Sequence, residues 1–251
     1  MTGTAPQGFH NDLIYDLGVN RGEDCAFYLA KGFRVVGIEA NPSLYDVARE
    51  KFAANIARGD LILMNTGIAA APGTLTFYIN EHNDHWSSFD PAYGARMGTP
   101  YRTVEVACLT LDELVRRHGL PRYMKIDIEG ADKLALQSLA KTQGRPPFIS
   151  VEEYGVAALD DLHRLGYSHM KIMGQRIKEW AKPPQPPREG RFVERISNGL
   201  DSGLFGLELP GEWLPYAQAR DYYVNNIRRE NFEYIGPEHE WWDIHAAMGV
   251  V

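Results

Sequence analysis

Residues 11–22 read NDLIYDLGVNRG, and this stretch decides the fold that the sequence predicts. An apolar run ends in Asp16, and Gly18 and Gly22 follow before a helix-like segment begins. This order is typical of the first strand, turn and helix of a nucleotide-binding α/β sheet. Glycines let the backbone approach a ligand closely, and the start of a helix offers free N–H groups to it.

The turn differs from the dinucleotide pattern G-x-G-x-x-G, whose backbone cradles a pyrophosphate. Its order is D-x-G-x-N-x-G, with Asp16 at the strand end and Asn20 interrupting the pattern. A carboxylate at that position repels a pyrophosphate and attracts an ammonium group. We therefore expect a nucleoside cofactor with an amino-acid tail, such as S-adenosylmethionine, rather than NAD.

Composition narrows the class of protein. The chain has 251 residues, which suits one large α/β domain with additions or two small domains. Its net charge of -7 argues against a general nucleic-acid or anionic-membrane surface. Cys25 and Cys108 have no metal-ligand spacing, so we expect a reduced, cytoplasmic protein. The first ten residues lack the regions of a secretory signal, and no apolar run is long enough for a membrane span.

Strand-like and helix-like segments alternate as far as about residue 180, which predicts a doubly wound, mostly parallel sheet. Residues 74–80 and 101–108 alternate in polarity and are predicted to pair as an inserted β-hairpin. The predicted cofactor-binding core therefore spans residues 1–180. The predicted extension spans residues 181–251, within one compact domain.

The extension begins with a Pro-rich connection at 182–190. Residues 202–209 are predicted to form a final, antiparallel strand, and 215–229 a helix. The tail 230–251 is rich in aromatic residues. We expect it to pack on the domain, or else to form a wall of the acceptor pocket or an oligomer contact.

Polar residues stand at the carboxyl ends of five predicted strands, namely Asp16, Glu39, Asn65, Asp127 and Glu152. In a parallel sheet these ends meet at one edge, where ligands bind. One acidic strand end is common by chance, whereas several together predict a site. Glu152 is expected either to face the acceptor or to be a solvated charge.

Five short segments occur in a fixed order: DLGVNRG at 16–22, GIEANP at 37–42, LTLD at 109–112, KIDIEGAD at 125–132 and SVE at 150–152. Together they resemble the FkbM-type family of S-adenosylmethionine-dependent methyltransferases. The resemblance covers about residues 12–155, and KIDIEGAD is its most specific segment. It implies a class I methyltransferase fold, Rossmann-like with seven strands. It also implies O-methylation of a hydroxyl on a sugar, glycoside or small natural product.

The residues around the glycine turn are predicted to bind the cofactor. Gly18 and Gly22 would contact it through the backbone, and Asp16 would meet the methionyl ammonium directly or through water. Asn20 would bond either within the turn or to the cofactor carboxylate. Glu39 follows Gly18 by 21 residues, the spacing at which a strand-two carboxylate binds ribose hydroxyls.

Three further residues are predicted to be cofactor ligands. Asn41 is first a helix cap, followed by Pro42 at the first helical position, and its adenosine contact is secondary. Thr66 belongs to a predicted loop on the adenine side. Asp127 would lie near the transferring methyl group.

Asp127 and Glu129 are two residues apart on a segment predicted to be extended, so both would point to one face. A neutral alcohol is a weak nucleophile, so a base or a metal ion would assist methyl transfer. Either carboxylate could be that base or hold the acceptor hydroxyl. Alternatively, Asp127 only positions the cofactor and Glu129 caps the next helix. His82 or His85, in the loop 81–100, is a further candidate base.

No metal ligand is assigned, although His82, Asp84 and His85 carry suitable ligand groups that Asp127 could join. The expected partner is a small-molecule or glycan acceptor, with a homo-oligomer as an open alternative and no nucleic acid. Two rival functions remain at this point. One is an NAD(P)-dependent oxidoreductase, and the other is a non-catalytic module that binds the cofactor without turnover.

Overall fold

The computed structural model describes residues 8–249, which form eleven strands and eight α-helices. The strands are β1 (Phe9–Leu17), β2 (Arg34–Glu39), β3 (Leu61–Asn65), β4 (Gly67–Ile68), β5 (Gly73–Asn80), β6 (Tyr101–Leu109), β7 (Leu120–Ile126), β8 (Phe148–Glu152), β9 (His169–Gly174), β10 (Leu214–Pro215) and β11 (Trp242–Ala247). The helices are α1 (Glu23–Ala30), α2 (Pro42–Lys51), α3 (Ala53–Arg58), α4 (Pro91–Gly94), α5 (Leu111–His118), α6 (Asp132–Leu139), α7 (Ala157–Arg164) and α8 (Tyr216–Asn226). None of the helices in 8–249 combines the length and apolar character needed to cross a bilayer.

The main sheet has the strand order β10-β9-β11-β8-β7-β1-β2-β3. Strands β3, β2, β1, β7 and β8 run parallel to one another, whereas β11 runs antiparallel between β8 and β9. The mostly parallel α/β sheet predicted from the sequence is thus confirmed. It has the seven expected strands and, in addition, the two-residue β10 on the β9 edge.

The inserted hairpin is confirmed as well. Strands β5 and β6 pair antiparallel over eight residues, from Gly73 opposite Cys108 to Asn80 opposite Tyr101. The short β4 adds a third strand to this second sheet. The loop between β5 and β6 contains α4 and two 3₁₀ turns.

Each face of the main sheet has its own apolar core. On one face, Leu114, Leu136 and Leu162, from α5, α6 and α7, are completely or almost completely buried. On the other face the core includes Tyr28 of α1 and Phe205 of the C-terminal segment. The rings of these last two residues meet edge to face at 5.2 Å between centroids. Two covered faces explain why the parallel strands have nearly continuous apolar sequences.

Local capping rules account for two helix starts, of which the one at Asn41 is predicted above from the sequence. The side chain of Asn41 accepts a hydrogen bond from Ser43 N, and Pro42 occupies the first helical position of α2. The Thr110 hydroxyl accepts one from Glu113 N at the start of α5. The helical segment that begins at Pro42 is divided at Phe52 into α2 and α3.

The predicted final strand at 202–209 is wrong. This segment is irregular with one 3₁₀ turn, and three of its backbone N–H groups donate to side-chain carboxylates while two others bond within the turn. Ser202 N donates to Asp24, and Leu207 N donates to Glu189 at 2.9 Å. Because these N–H groups have carboxylate partners, the segment can be buried without pairing to a neighbouring strand.

The antiparallel strand is instead β11, in the tail that was expected to pack as an extension. Its Ile244 lies opposite Val151 of β8 and Ile172 of β9, in the middle of the sheet. The boundary predicted at residue 180 lies between strands of the same sheet. Residues from both sides of it share one sheet.

A row of buried polar side chains crosses five neighbouring strands in register: Lys171, His245, Ser150, Lys125 and Asp16. Residues directly opposite each other on neighbouring strands point to the same face. The Lys171 ammonium donates to the carbonyls of residues 209, 210 and 211 at 2.7–3.0 Å. The Lys125 end of the row reaches the cavity described below.

The position of β11 leads to a stability prediction. Ile244 has no exposed surface, so Ile244→Ala leaves a cavity in the sheet core and should lower the free energy of unfolding by about 2–5 kcal/mol. Ile196→Ala is the matched control, because Ile196 is 93% exposed and its truncation should cost less than about 0.5 kcal/mol. Urea unfolding measures both. Equal, small effects would contradict the central placement of β11.

Candidate functional site

A cavity of about 680 Å³ lies where the carboxyl ends of β1, β2, β7 and β8 meet. That volume is in the range of small-molecule sites. Seven of the residues predicted to act at the site line it: Gly18, Asn20, Glu39, Thr66, His85, Asp127 and Glu129. The structure thus brings together residues that are more than 100 positions apart in the chain.

Three predicted cofactor residues do not line this cavity. Asp16 is fully buried on β1, beneath the cavity-lining Lys125. Gly22 caps α1 with φ +78°, and a Cβ there would approach Phe52 to 2.3 Å. Asn41 is buried as the cap of α2. Their roles toward a cofactor stay predictions, and each has a structural role of its own.

The glycine turn packs against the end of β7. Gly18 has φ +93°, and a Cβ on it would lie 1.9 Å from the carbonyl oxygen of Asp127. Its N–H donates to Ile38 O at 3.0 Å, while Asp127 N donates to Leu17 O at 3.0 Å. Only glycine allows this approach, so the turn requires Gly18 even before a ligand is considered.

Glu39 ends β2 with its carboxylate held in place from two sides. One oxygen accepts from Asn20 N at 2.7 Å and the other from Asn41 N at 2.8 Å. Burial raises the pKa of Glu39 to about 7, against the lowering effect of these two N–H donors. Because each carboxylate oxygen has a second lone pair, both can still accept from a ligand hydroxyl.

Lys125 of β7, the first residue of the KIDIEGAD segment, also lines the cavity, although no sequence pattern assigns it a role. Its Nζ lies 3.5 Å from Asp16, 3.6 Å from Asp24 and 3.4 Å from Asp127. These carboxylates hold the pKa of Lys125 well above its ordinary value, against the desolvation caused by burial. The lysine is therefore a cation at the floor of an acidic cavity.

Asp24, in the first turn of α1, links this floor to the C-terminal segment. It accepts from Ser202 N with both oxygens, at 3.1 and 3.0 Å, and forms an ion pair with Arg195 at 3.2 Å. The cation neighbours Lys125 and Arg195 lower the pKa of Asp24, against the raising effect of burial. The cavity-lining residues 199–202 are fixed by these bonds.

The opposite wall carries three carboxylates, from Asp127, Glu129 and Glu152. One oxygen from each can be chosen so that all three lie within 4.8 Å of one another. Carboxylate oxygens at such spacing can coordinate a hard divalent cation. They can also accept hydrogen bonds from the hydroxyls of a polar substrate. The grouping found within 8–249 combines Asp127 with these two glutamates and leaves out the histidines of the loop.

The segment after β7 is not extended as predicted. Strand β7 ends at Ile126, and Glu129 adopts a left-handed conformation with φ +45°. Alternation along a strand therefore does not bring Asp127 and Glu129 together. The turn at Glu129 does, and the neighbouring strand β8 adds Glu152 at its own carboxyl end.

Burial, and then the charge of neighbouring acids, makes Glu129, Asp132 and Glu152 hard to ionise. Burial raises the pKa of Glu129 to about 7, with Asp127 adding to the shift and Arg96 opposing it. Burial, followed by Asp127, raises the pKa of Asp132 to about 7 and that of Glu152 well above its ordinary value. Carboxyl groups with such values can hold or release a proton near neutral pH.

The loop 81–100 is organised by Asn80, a residue for which the sequence carries no recognisable signal. The Asn80 side chain accepts from the N–H groups of His82 and Asn83 at 2.9 and 2.8 Å. It also donates to Gly94 O at 2.8 Å and to the Thr99 hydroxyl at 2.6 Å. One buried amide therefore ties both ends of the loop to β5.

This loop places an arginine and an aromatic ring beside the acidic wall. The Arg96 guanidinium forms an ion pair with Glu129 and stacks 5.1 Å from the Trp86 ring. His85 lies in the neighbouring 3₁₀ turn, with its Nε2 3.9 Å from Asp84. Nothing in the sequence around Arg96 signals its role, because its partner is 33 residues away.

The C-terminal region completes the cavity. Asp243 of β11 lies opposite Glu152 in register, and burial raises its pKa well above the ordinary value. Trp241 and Leu200 also line the cavity while remaining 39% and 57% exposed. Both therefore stand at its mouth. Two residues of the tail, Trp241 and Asp243, thus form part of the cavity wall.

Comparison with known proteins identifies the type of domain. Residues 16–170 match the family model described as a methyltransferase FkbM domain. No curated protein matches the chain.

Solved structures show more distant similarity. The methyltransferase FkbM from Methylobacillus flagellatus KT is 14% identical with a TM-score of 0.44, over 67% of this chain. The match covers 40% of the Methylobacillus chain. A precorrin-6y C5,15-methyltransferase from Geobacter metallireducens GS-15 is 10% identical over 94% of this chain and 80% of its own, with a TM-score of 0.41. An rRNA methylase from Streptococcus thermophilus is 10% identical over 67% of this chain and 79% of its own, with a TM-score of 0.37.

The raised carboxyl pKa values predict how stability depends on pH. Between the ordinary carboxyl pKa and about 7, the folded protein keeps protons on Glu129 and Asp132 that the unfolded chain has lost. The folded state then binds more protons, so stability falls as the pH rises through this window. The melting temperature of the free protein should decrease from pH 5 to pH 8.

Glu129→Gln should make that decrease shallower, because one of the titrating groups is gone while the amide oxygen can still accept from Arg96. Glu179→Gln, on the exposed surface, is the matched control for the loss of one carboxylate. Melting curves across the pH range measure all three proteins. An unchanged slope in Glu129→Gln would show that Glu129 does not titrate in this window.

Proposed function

Since the chain belongs to the FkbM methyltransferase family, we propose that it transfers a methyl group from S-adenosylmethionine to an acceptor hydroxyl on a sugar, glycoside or small natural product. The proposal rests on one observation above all. A single cavity holds the Gly18 turn and Glu39 on one side and three carboxylates, from Asp127, Glu129 and Glu152, on the other. The first side suits a nucleoside and the second suits an acceptor with hydroxyl groups.

The residues present fit the proposed methyl donor. Glu39 keeps free lone pairs at the end of β2, where ribose hydroxyls bind in nucleotide folds. Both oxygens of the buried Asp16 lack a hydrogen-bond partner among the described residues, so this carboxylate still has unused capacity beneath the cavity. When bound, the donor supplies a methyl group on a cationic sulfonium. Surrounding carboxylates favour binding of that positive charge.

The acidic wall supplies what an alcohol acceptor requires. A hydroxyl must lose its proton as its oxygen is methylated, and a carboxylate within hydrogen-bond reach can accept that proton. Asp127, Glu129 and Glu152 are the candidates, with Arg96 orienting Glu129 through their ion pair. We assign the proton-accepting role to this group. His85, which also lines the cavity, remains a second candidate base.

The charge and shape of the cavity favour a neutral acceptor. Carboxylates dominate its polar lining, so a phosphate-rich nucleic acid would be repelled, in agreement with the net charge of -7. Trp86 and Trp241 add flat aromatic surfaces on which the apolar face of a sugar ring can pack. A glycan or glycoside uses both features, because its hydroxyls bind carboxylates and its C–H groups bind aromatic rings.

Ligand binding tests the proposal first. S-adenosylhomocysteine should raise the melting temperature, by an amount equivalent to about 3 kcal/mol at a hundredfold excess over its dissociation constant. NADH should have no such effect. Stabilisation by NADH alone would overturn the proposal in favour of an oxidoreductase.

Turnover tests it second. Incubation with methyl-labelled S-adenosylmethionine and a panel of neutral glycosides and polyols should yield a labelled O-methyl product, detected by mass spectrometry. Cofactor binding without a product from any acceptor would instead indicate a non-catalytic binding module.

The role of Glu39 gives a quantitative prediction. Hydrogen bonds to a charged group contribute about 1.5–3 kcal/mol, so Glu39→Gln should weaken S-adenosylhomocysteine binding about 10- to 100-fold. Glu50→Gln, on the exposed face of α2, is the matched control and should bind normally. Isothermal titration measures the affinities, and circular dichroism verifies the fold. Equal affinity in both variants would exclude the ribose role of Glu39.

A further inference from the structure

Lys125 is held loosely for a buried cation. Its side chain is 6% exposed, and its nearest oxygen atoms are the Gly18 carbonyl at 3.4 Å and three carboxylates at 3.4–3.6 Å. Charge-assisted hydrogen bonds are normally about 2.7–2.9 Å long. The ammonium group therefore has partners for its charge, but it retains donor capacity for a ligand in the cavity that it lines.

Lys171 shows what a purely structural lysine looks like in the same fold. It lies in the same buried polar row, and its ammonium donates to three backbone carbonyls at 2.7–3.0 Å. It does not line the cavity. All three N–H donors of Lys171 are therefore used by the protein, whereas those of Lys125 remain available to a ligand.

The order of the strands sets what Lys125 faces. Thr66 follows β3, Glu39 ends β2, Gly18 follows β1 and Lys125 lies near the end of β7, so these four cavity residues follow the strand order β3-β2-β1-β7. If Glu39 binds the ribose, Lys125 lies two strands away, on the far side of the glycine turn. The part of the donor beyond its ribose is an amino-acid tail with one ammonium and one carboxylate.

From this placement, and resting on the proposed function, we infer that Lys125 is a positioning residue that binds the carboxylate of the donor's amino-acid tail. The neighbouring Asp16 and Asp127 favour the tail's ammonium group. The amino-acid tail is a zwitterion, so its carboxylate can pair with Lys125 while its ammonium group pairs with the neighbouring carboxylates. A ligand with only one of these charges would use only part of this arrangement. Asp24 holds Lys125 from the side of α1, because its other contacts to Ser202 and Arg195 keep it in place.

Two ligands that differ only in the tail test this role. S-adenosylhomocysteine carries the amino-acid tail, whereas 5′-methylthioadenosine has the same nucleoside and thioether without it. Lys125→Met should weaken S-adenosylhomocysteine binding about 10- to 100-fold, as expected for loss of a hydrogen-bonded charge pair. It should change methylthioadenosine binding less than twofold, and Lys125→Arg should restore part of the preference for the tailed ligand. Isothermal titration gives the ratio of the two dissociation constants for each protein.

Lys171→Met is the matched control, because it removes a buried lysine from the same row and should leave that ratio unchanged. If Lys125→Met does not fold, Lys125→Gln, which removes the charge but keeps a polar group among the carboxylates, is measured in its place. A loss of affinity by the same factor for both ligands would overturn the inference and leave Lys125 a structural cation. Failure of the unmodified protein to bind S-adenosylhomocysteine would overturn the proposed function itself, and the inference with it.

Discussion

The buried ammonium of Lys125 among the carboxylates of Asp16, Asp24 and Asp127 is the interaction on which this edge of the sheet depends. It joins β1, α1 and the end of β7, which are the elements that surround the glycine turn. Removing one partner from a buried ion pair typically costs about 3–5 kcal/mol, because an unpaired charge is left out of water. The cluster is thus stable only as a whole, and it fixes the floor of the cavity.

The lining of the cavity above this floor contains more carboxylate side chains than cationic ones. Burial raises the pKa of Asp16 to about 6 even though Lys125 opposes the shift, and it raises the pKa of Glu39 to about 7. Such groups lower the stability of the free protein near neutral pH, so packing alone gives no reason to bury them. A cationic ligand reverses this penalty. The same group of buried carboxylates therefore accounts both for the cost to the free protein and for the proposed preference for a sulfonium donor.

The C-terminal third of the chain shows how the site is closed from a distance. Its residues reach the cavity by two routes, through the contact of Ser202 with Asp24 and through β11 in the middle of the sheet. The predicted strand at 202–209 does not form, and the N–H groups of Ser202, Gly203 and Leu207 donate to carboxylates instead. Strand β11 becomes the neighbour of β8 through long-range pairing, and the sequence of the tail contains no local pattern that predicts this pairing.

The sequence by itself determined the features that depend on neighbouring residues. These are the alternation of strands and helices, the caps at Asn41 and Thr110, the need for Gly18 in the first turn, and the acidic strand ends that converge because parallel strands finish at one edge. Only the tertiary structure decided which of those acids line the cavity. It buried Asp16 beneath Lys125, turned Glu129 toward Glu152, and brought Arg96 and Asp243 to the same wall. The physical reason is that burial and charge pairing depend on atoms far apart in the chain, whereas capping and periodicity are complete within a few residues.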